Sequence, residues 1–293
     1  MKMTKLLALV LALALMVCAF AACNQEKPVN VPGDNNNVEN DLPEDVNPVA
    51  AELGKATIVM GTNAEFEPFE YRDNDEIVGY DIETAQAIAE YAGMEFAPVE
   101  DMAFDSLITA LSSGQIDMVV AGMSVTEERL QQVNFSDPYY RAAQVIIVPK
   151  EGATVASSAD LAGKAIGVQE GTTGDIYVEE NVEGAQLNRF KKAVDAAIDL
   201  ANGRLDAVVL DEQPALRIVA QNDALMVLDE ALTEEEYAIA VRKNNPELLA
   251  AINAGLAELE ASGKKAELLE KYGLNVAEDV DVEADVDAAE DAE

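Results

Sequence analysis

A serine, an arginine and an aspartate carry most of the chemistry this sequence offers. Ser124 falls in a hydroxyl-rich turn after an apolar run. Arg129 follows five residues later, in a chain with only 19 Lys and Arg against 56 Asp and Glu. A guanidinium at the base of a cleft can hold a carboxylate through two charge-assisted hydrogen bonds, with Ser124 and nearby backbone N–H groups completing the seat. The same Arg129 could equally be a solvated helix residue paired with Glu127 or Glu128. Asp211 ends the run VVLD and could face an ammonium group, or cap a helix. Phe66 and Phe104 could stack on a ligand or fill a core. Catalytic arrangements are missing: the sequence has no histidine, which removes the commonest general base, His-based zinc sites and the Ser-His-Asp triad. No phosphate-binding loop or dinucleotide fingerprint occurs either, so no cofactor, metal or enzymatic role is expected.

These residues need elements to position them, and the stretch Ile116 to Tyr140 (IDMVVAGMSVTEERLQQVNFSDPYY) organises the rest. Its apolar start, closed by Ala121 and Gly122, reads as a buried parallel strand. Thr126 then opens a short polar helix. Ligands of open α/β sheets sit at the carboxyl ends of such strands. Around it, Thr57 to Met60, Gln144 to Val148, Ala165 to Val168 and Leu205 to Leu210 predict strands. Asp81 to Tyr91 predicts a helix with Ile82, Ala85, Ile88 and Ala92 on one face and Gly93 at C′. Phe104 to Leu111 marks another, closed near Gly114, with further helices starting near Thr172 and Lys192. Asn245 and Pro246 form an N-cap and N1 pair. The fold class is α/β.

One internal similarity bears on function. Leu111 to Gly122 (LSSGQIDMVVAG) matches Leu200 to Asp211 (LANGRLDAVVLD) position for position. Two unrelated βα units can look alike by chance. The functional reading is two lobes of like topology, with Gly122 and Asp211 equivalent at strand ends that face each other across a cleft.

The net charge of −37 and pI near 4.1 leave no basic stripe for displacing counterions from phosphates, so nucleic acid is excluded as a partner. Residues 1–22 read as an export signal, with Lys2 and Lys5 before an apolar run from Leu6 to Phe20 that is short for a membrane span. Phe20-Ala21-Ala22-Cys23 resembles a bacterial lipobox, which makes Cys23 a lipidated N-terminus and leaves no thiol pair for a disulfide. Residues 23–53 are Asn-, Pro- and acid-rich and read as a disordered tether, and residues 276–293 as a disordered acidic tail.

The run Gly61 to Asp81 (GTNAEFEPFEYRDNDEIVGYD), together with AFDSLITAL, AGMSVTEERLQQVNFSDPYY, IGVQEGTTG and LDAVVLDE, resembles the polar amino-acid solute-binding proteins of ABC importers. The resemblance spans roughly Ala56 to Leu274, in family order and spacing. It implies a type II periplasmic-binding-protein-like fold: lobe one from 54–140 plus 238–275, lobe two from 145–233, and two crossing hinge strands near Arg141 and Tyr237. It implies Arg129 and Ser124 for a ligand's α-carboxylate, backbone contacts at Gly122 and Thr173, and Asp211 for its α-ammonium. Phe66 and Phe104 become aromatic walls, and Asn63 and Gln169 readers of the ligand side chain. The partners implied are a free amino acid, the permease subunits in the membrane and the membrane itself through the lipid, for a protein acting as a monomer.

Asn63 stands where the family usually has Asp, and Gln169 is also uncharged, so a cationic side chain would lack its usual partner. That favours a neutral polar ligand such as glutamine. Glu65, Asp105 and Glu170 are other sources of charge, and GVQEGTT looks more like the arginine binders, so basic amino acids are the alternative. Lys271-Tyr272-Gly273 replaces a frequent Trp. Two other classes on the same scaffold are a dehydratase-type enzyme, against which the Arg129 and Asp211 pair counts, and a ligand-sensing module.

Overall fold

The computed structural model describes residues 57–274. The expected signal segment, Cys23, the tether and the acidic tail lie outside the described residues.

In chain order the strands are β1 (Thr57–Ile58), β2 (Met60–Thr62), β3 (Glu65–Phe66), β4 (Glu70–Asp73), β5 (Glu76–Val78), β6 (Glu95–Phe96), β7 (Glu100–Asp101), β8 (Met118–Val119), β9 (Val133–Phe135), β10 (Tyr140–Ala142), β11 (Gln144–Pro149), β12 (Ala165–Gln169), β13 (Gln186–Phe190), β14 (Ala207–Asp211), β15 (Leu225–Val227), β16 (Glu235–Tyr237) and β17 (Ala240–Arg242). The α-helices are α1 (Tyr80–Tyr91), α2 (Leu107–Ser113), α3 (Glu127–Gln132), α4 (Thr173–Asn181), α5 (Ala193–Ala201), α6 (Glu212–Ala220), α7 (Pro246–Ala261) and α8 (Lys264–Tyr272).

The two large sheets are wired alike. The first runs β7-β2-β8-β17-β9 and the second β13-β12-β14-β11-β15. In each, the second strand is parallel to its two neighbours, and the fourth is antiparallel to the third and fifth. β8 and β14 therefore hold the same central place. This is what the likeness of the two sequence segments encodes: both strands are covered on both faces, and a strand so placed must be apolar along its length. Met118, Val119, Ala207, Val208 and Val209 are all buried. The ladder of β8 is shorter than the apolar run around it, because Val120 N reaches Gly61 O over a longer 3.3 Å as the chain turns towards Gly122. The chain is thus an α/β protein of two lobes.

Helices cover the sheets along the faces their periodicity assigns. Ile82, Ala85, Ile88 and Ala92 of the first helical segment are buried. α7 crosses that face at Gly255, where an added Cβ would stand 3.1 Å from Ile88 side-chain atoms, so a larger residue would push the helices apart. Asn245 caps α7 by accepting from Leu248 N, and Thr126 and Thr172 cap α3 and α4 in the same way.

Between the sheets, β10 pairs antiparallel with β16, in register Tyr140 with Tyr237 and Ala142 with Glu235. Aromatic rings fill the space beside this crossing. Phe69 lies edge-on to Tyr140 and Tyr237 at centroid distances of 4.9 and 5.1 Å, a favoured geometry for ring quadrupoles.

Candidate functional site

The carboxyl ends of β8 and β14 and the amino end of α4 meet at one pocket. Its lining includes Asn63, Phe66, Phe104, Gly122, Ser124, Arg129, Thr173 and Asp211, together with Glu70, Ala121 and Thr172. Eight of the nine ligand-site residues expected from sequence are thereby brought together. Gln169 is outside the lining.

Arg129 is buried, although it belongs to a short polar helix. Its Nη1 donates to Ser124 O over 2.6 Å and its Nη2 to Gly171 O over 2.9 Å. The guanidinium carbon stands 5.3 Å from the centre of the Phe104 ring, within cation–π range. Among the described residues no carboxylate comes within 4.0 Å of it, so the pairing with Glu127 or Glu128 does not form. Burial pushes its pKa down, and the charges of Glu235 and Asp211 oppose that.

Asp211 faces Arg129's side of the pocket from β14. It precedes α6 but makes no capping hydrogen bond. Its Oδ1 instead accepts from Tyr237 Oη. Burial, then the charge of Glu235, push its pKa up to about 7, against the Tyr237 hydrogen bond. A carboxylate held in this way gains most from a positive partner.

Glu70 is the residue that sequence reasoning missed. It opens β4 with no exposed surface, lines the pocket, and neither carboxyl oxygen has a hydrogen-bond partner. Burial, followed by the neighbouring Asp81, drives its pKa well up. Asp81 accepts from Gly122 N at 2.8 Å and Tyr139 Oη at 2.7 Å through Oδ2, and leaves Oδ1 unpartnered. Burial lifts its pKa to about 6. The Gly122 N–H is therefore already engaged within the protein. Gly122 has φ of +50°, and a Cβ there would meet the Phe66 ring at 3.0 Å, so glycine is what lets the chain turn beneath that wall.

The three carboxylates named from sequence as other sources of charge are taken up elsewhere. Glu65 pairs with Lys192, while Asp105 and Glu170 both pair with Lys191. None of the three lines the pocket.

Comparison with known proteins supplies the decisive observation. Residues 58–275 match the family of bacterial extracellular solute-binding proteins, family 3. The chain belongs to this family. It is 40% identical over 230 residues to the arginine-binding extracellular protein ArtP of Bacillus subtilis, covering 76% of this chain and 88% of that protein. Among solved structures it resembles the P235GK mutant of ArgBP from T. maritima, with TM-score 0.73, 42% identity, and coverage of 78% and 99% of the two chains. It also resembles an ancestral arginine-binding protein bound to glutamine, with TM-score 0.70, 41% identity, and coverage of 75% and 99%.

As a family 3 solute-binding protein, not an enzyme, the chain has a site built for holding a zwitterion. A cation-bearing wall and the positive end of α4 lie on one side, and buried carboxylates lie on the other. Three contributors beyond Glu70 escaped the sequence reading: Gln144, Glu235 and Tyr237. Glu235 sits in the run Glu234-Glu235-Glu236, which looks like a solvated acidic stretch. Only the alternation of β16, with residues 235 and 237 on one side, singles it out.

Proposed function

We propose that this solute-binding protein captures a free amino acid with a cationic side chain, of the arginine class, outside the cell and delivers it to an ABC permease. Its α-carboxylate would meet Arg129 and the N–H groups at the start of α4, and its α-ammonium Asp211. Glu70 carries the proposal: a fully buried carboxyl that faces the pocket with both oxygens unpartnered. The lean towards glutamine rested on the uncharged Asn63 and Gln169, and Glu70 supplies the charge those two lack. The walls Phe66 and Phe104 suit a guanidinium, whose flat face stacks on rings. The arginine-binding relatives support the same choice.

A specific observation favours a second reading, a neutral amide ligand. Glu70 with its raised pKa can hold a proton and would then exchange hydrogen bonds with a glutamine amide, and a similar protein has been seen with glutamine bound. Calorimetric titration with L-arginine, L-lysine, L-histidine, L-cystine and L-glutamine decides between them. L-Arginine is expected to bind most tightly. Tighter binding of L-glutamine overturns the cationic reading, and binding of none of them overturns the function.

The lobes, taken as residues 54–140 plus 238–275 and 145–233, would close on the ligand by bending at the crossing strands. A monomer tethered through lipid at Cys23 completes the proposal. Mass spectrometry of the membrane fraction should find the acylated peptide, and Cys23→Ala should release the protein.

A further inference from the structure

Glu235 is outside the pocket lining yet touches the site from behind. Its Oε2 accepts from Ser124 Oγ over 2.5 Å and from Thr173 Oγ1 over 2.7 Å, while its Oε1 accepts from Thr233 Oγ1 over 2.8 Å. Ser124 follows β8 of the first sheet. Thr173 opens α4, which follows β12 of the second. One carboxylate on a crossing strand thus ties a group from each lobe.

A hydroxyl carries a single proton. Those of Ser124 and Thr173 are both given to Glu235, and Thr173 Oγ1 further accepts from Gln144 Nε2 at 3.1 Å. Neither hydroxyl then has a proton for a ligand's carboxylate, which must rely on Arg129 and backbone N–H groups. The two side chains act as anchoring points for the backbone that carries those N–H groups. Two residues along the same strand, Tyr237 holds Asp211.

We propose that Glu235 is a positioning residue that locks Ser124 to Thr173 and so presets, before ligand arrives, the spacing between the two halves of the carboxylate seat. The proposal deepens the amino-acid reading and rests on it for the ligand used as probe. Loss of two hydrogen bonds to a charged acceptor is enough to move a binding constant by about tenfold.

The test measures two things on full-length protein. The first is the interlobe distance distribution without ligand, from labels at the exposed Gln115 and Asn202. Glu235→Ala is expected to broaden it, and Glu235→Gln to keep it narrow, because an amide oxygen still accepts from both hydroxyls. The second is L-arginine binding, expected to weaken about tenfold in Glu235→Ala through faster dissociation and to recover in Glu235→Gln. A Glu235→Ala protein with a lower melting temperature but unchanged distances and affinity overturns the proposal and leaves Glu235 a merely structural residue. Glu235→Gln as impaired as Glu235→Ala also overturns it, since charge and not the tie would then matter. If wild-type protein takes up no L-arginine, the ligand reading fails, whereas the ligand-free distances still decide the role of Glu235.

Discussion

Gln169 Nε2 donates to Asn63 Oδ1 over 2.8 Å, joining the end of β12 in one sheet to the residue after β2 in the other. Two amides expected to read a ligand side chain are turned on each other. Asn63 Nδ2 is also engaged, donating to Met102 O at 2.9 Å. Asn63→Asp keeps the acceptor for Gln169 but sets a carboxylate oxygen against the Met102 carbonyl. Leaving that carbonyl without its donor costs about 1 to 3 kcal/mol. The variant should melt several degrees lower while its ligand ranking moves towards cations. Scanning calorimetry and competition titrations check both, and an unchanged melting temperature would mean the carbonyl finds another donor.

Glu70→Gln isolates the charge that the proposed ligand class depends on. The amide has the shape of the acid, so packing against Asp81 and Phe69 is preserved. A hydrogen bond to a charged partner contributes roughly 1.5 to 3 kcal/mol. L-Arginine affinity should therefore fall by one to two decades, with L-glutamine affinity held or improved. Titration of both ligands against both proteins reads the difference. An equal loss for the two would show that Glu70 serves the integrity of the pocket and not its selectivity.

Much of this was legible in the sequence because it follows from pattern. Asp211 and Gly122 stood out as ends of matched apolar runs, and Arg129 as a rare cation at a fixed distance from a strand end. Their burial follows from the doubly covered β8 and β14. Glu70 was illegible for the opposite reason. Within FEYRD nothing distinguishes a pocket carboxyl from a solvated one, in a chain with 56 acidic residues. Its burial comes from the aromatic packing of Phe69 with Tyr140 and Tyr237, residues far away in sequence. Gln169 failed for a related reason: its partner, Asn63, comes from the other lobe.

Acid should stabilise the empty protein and weaken the loaded one. Asp211 and Asp81 titrate at about 7 and about 6 when folded, against a usual 3.8. Between about pH 4 and 7 the folded chain thus binds protons that the unfolded chain does not, and stability falls as pH rises through that window. The ligand's ammonium needs the ionised form of Asp211, so affinity falls on acidification below about pH 7, by up to about tenfold per pH unit. Melting curves from about pH 5 to 8 should show a ligand-free melting temperature that rises with acid, and an L-arginine increment that shrinks. Relief of repulsion among surface carboxylates acts in the same direction on the empty protein. Asp211→Asn separates the two by flattening only its own share of the slope. An L-arginine increment that stays constant with pH would remove Asp211 from the ammonium site.

Arg129→Ala tests the other pole. A guanidinium has five N–H donors, and two are used on Ser124 O and Gly171 O, which leaves three for a ligand carboxylate. Removing the charge leaves that carboxylate buried without its partner, a loss of roughly 3 to 5 kcal/mol, or two to four decades in affinity. Arg129→Lys keeps the charge but cannot span both carbonyls with one planar fork, so it should bind better than Arg129→Ala and still worse than wild type. Both variants must be melted as well as titrated, because the same side chain pins Gly171 to the Ser124 turn. A variant that melts lower yet binds L-arginine as wild type does would show that Arg129 braces the two loops and leaves the ligand to other donors.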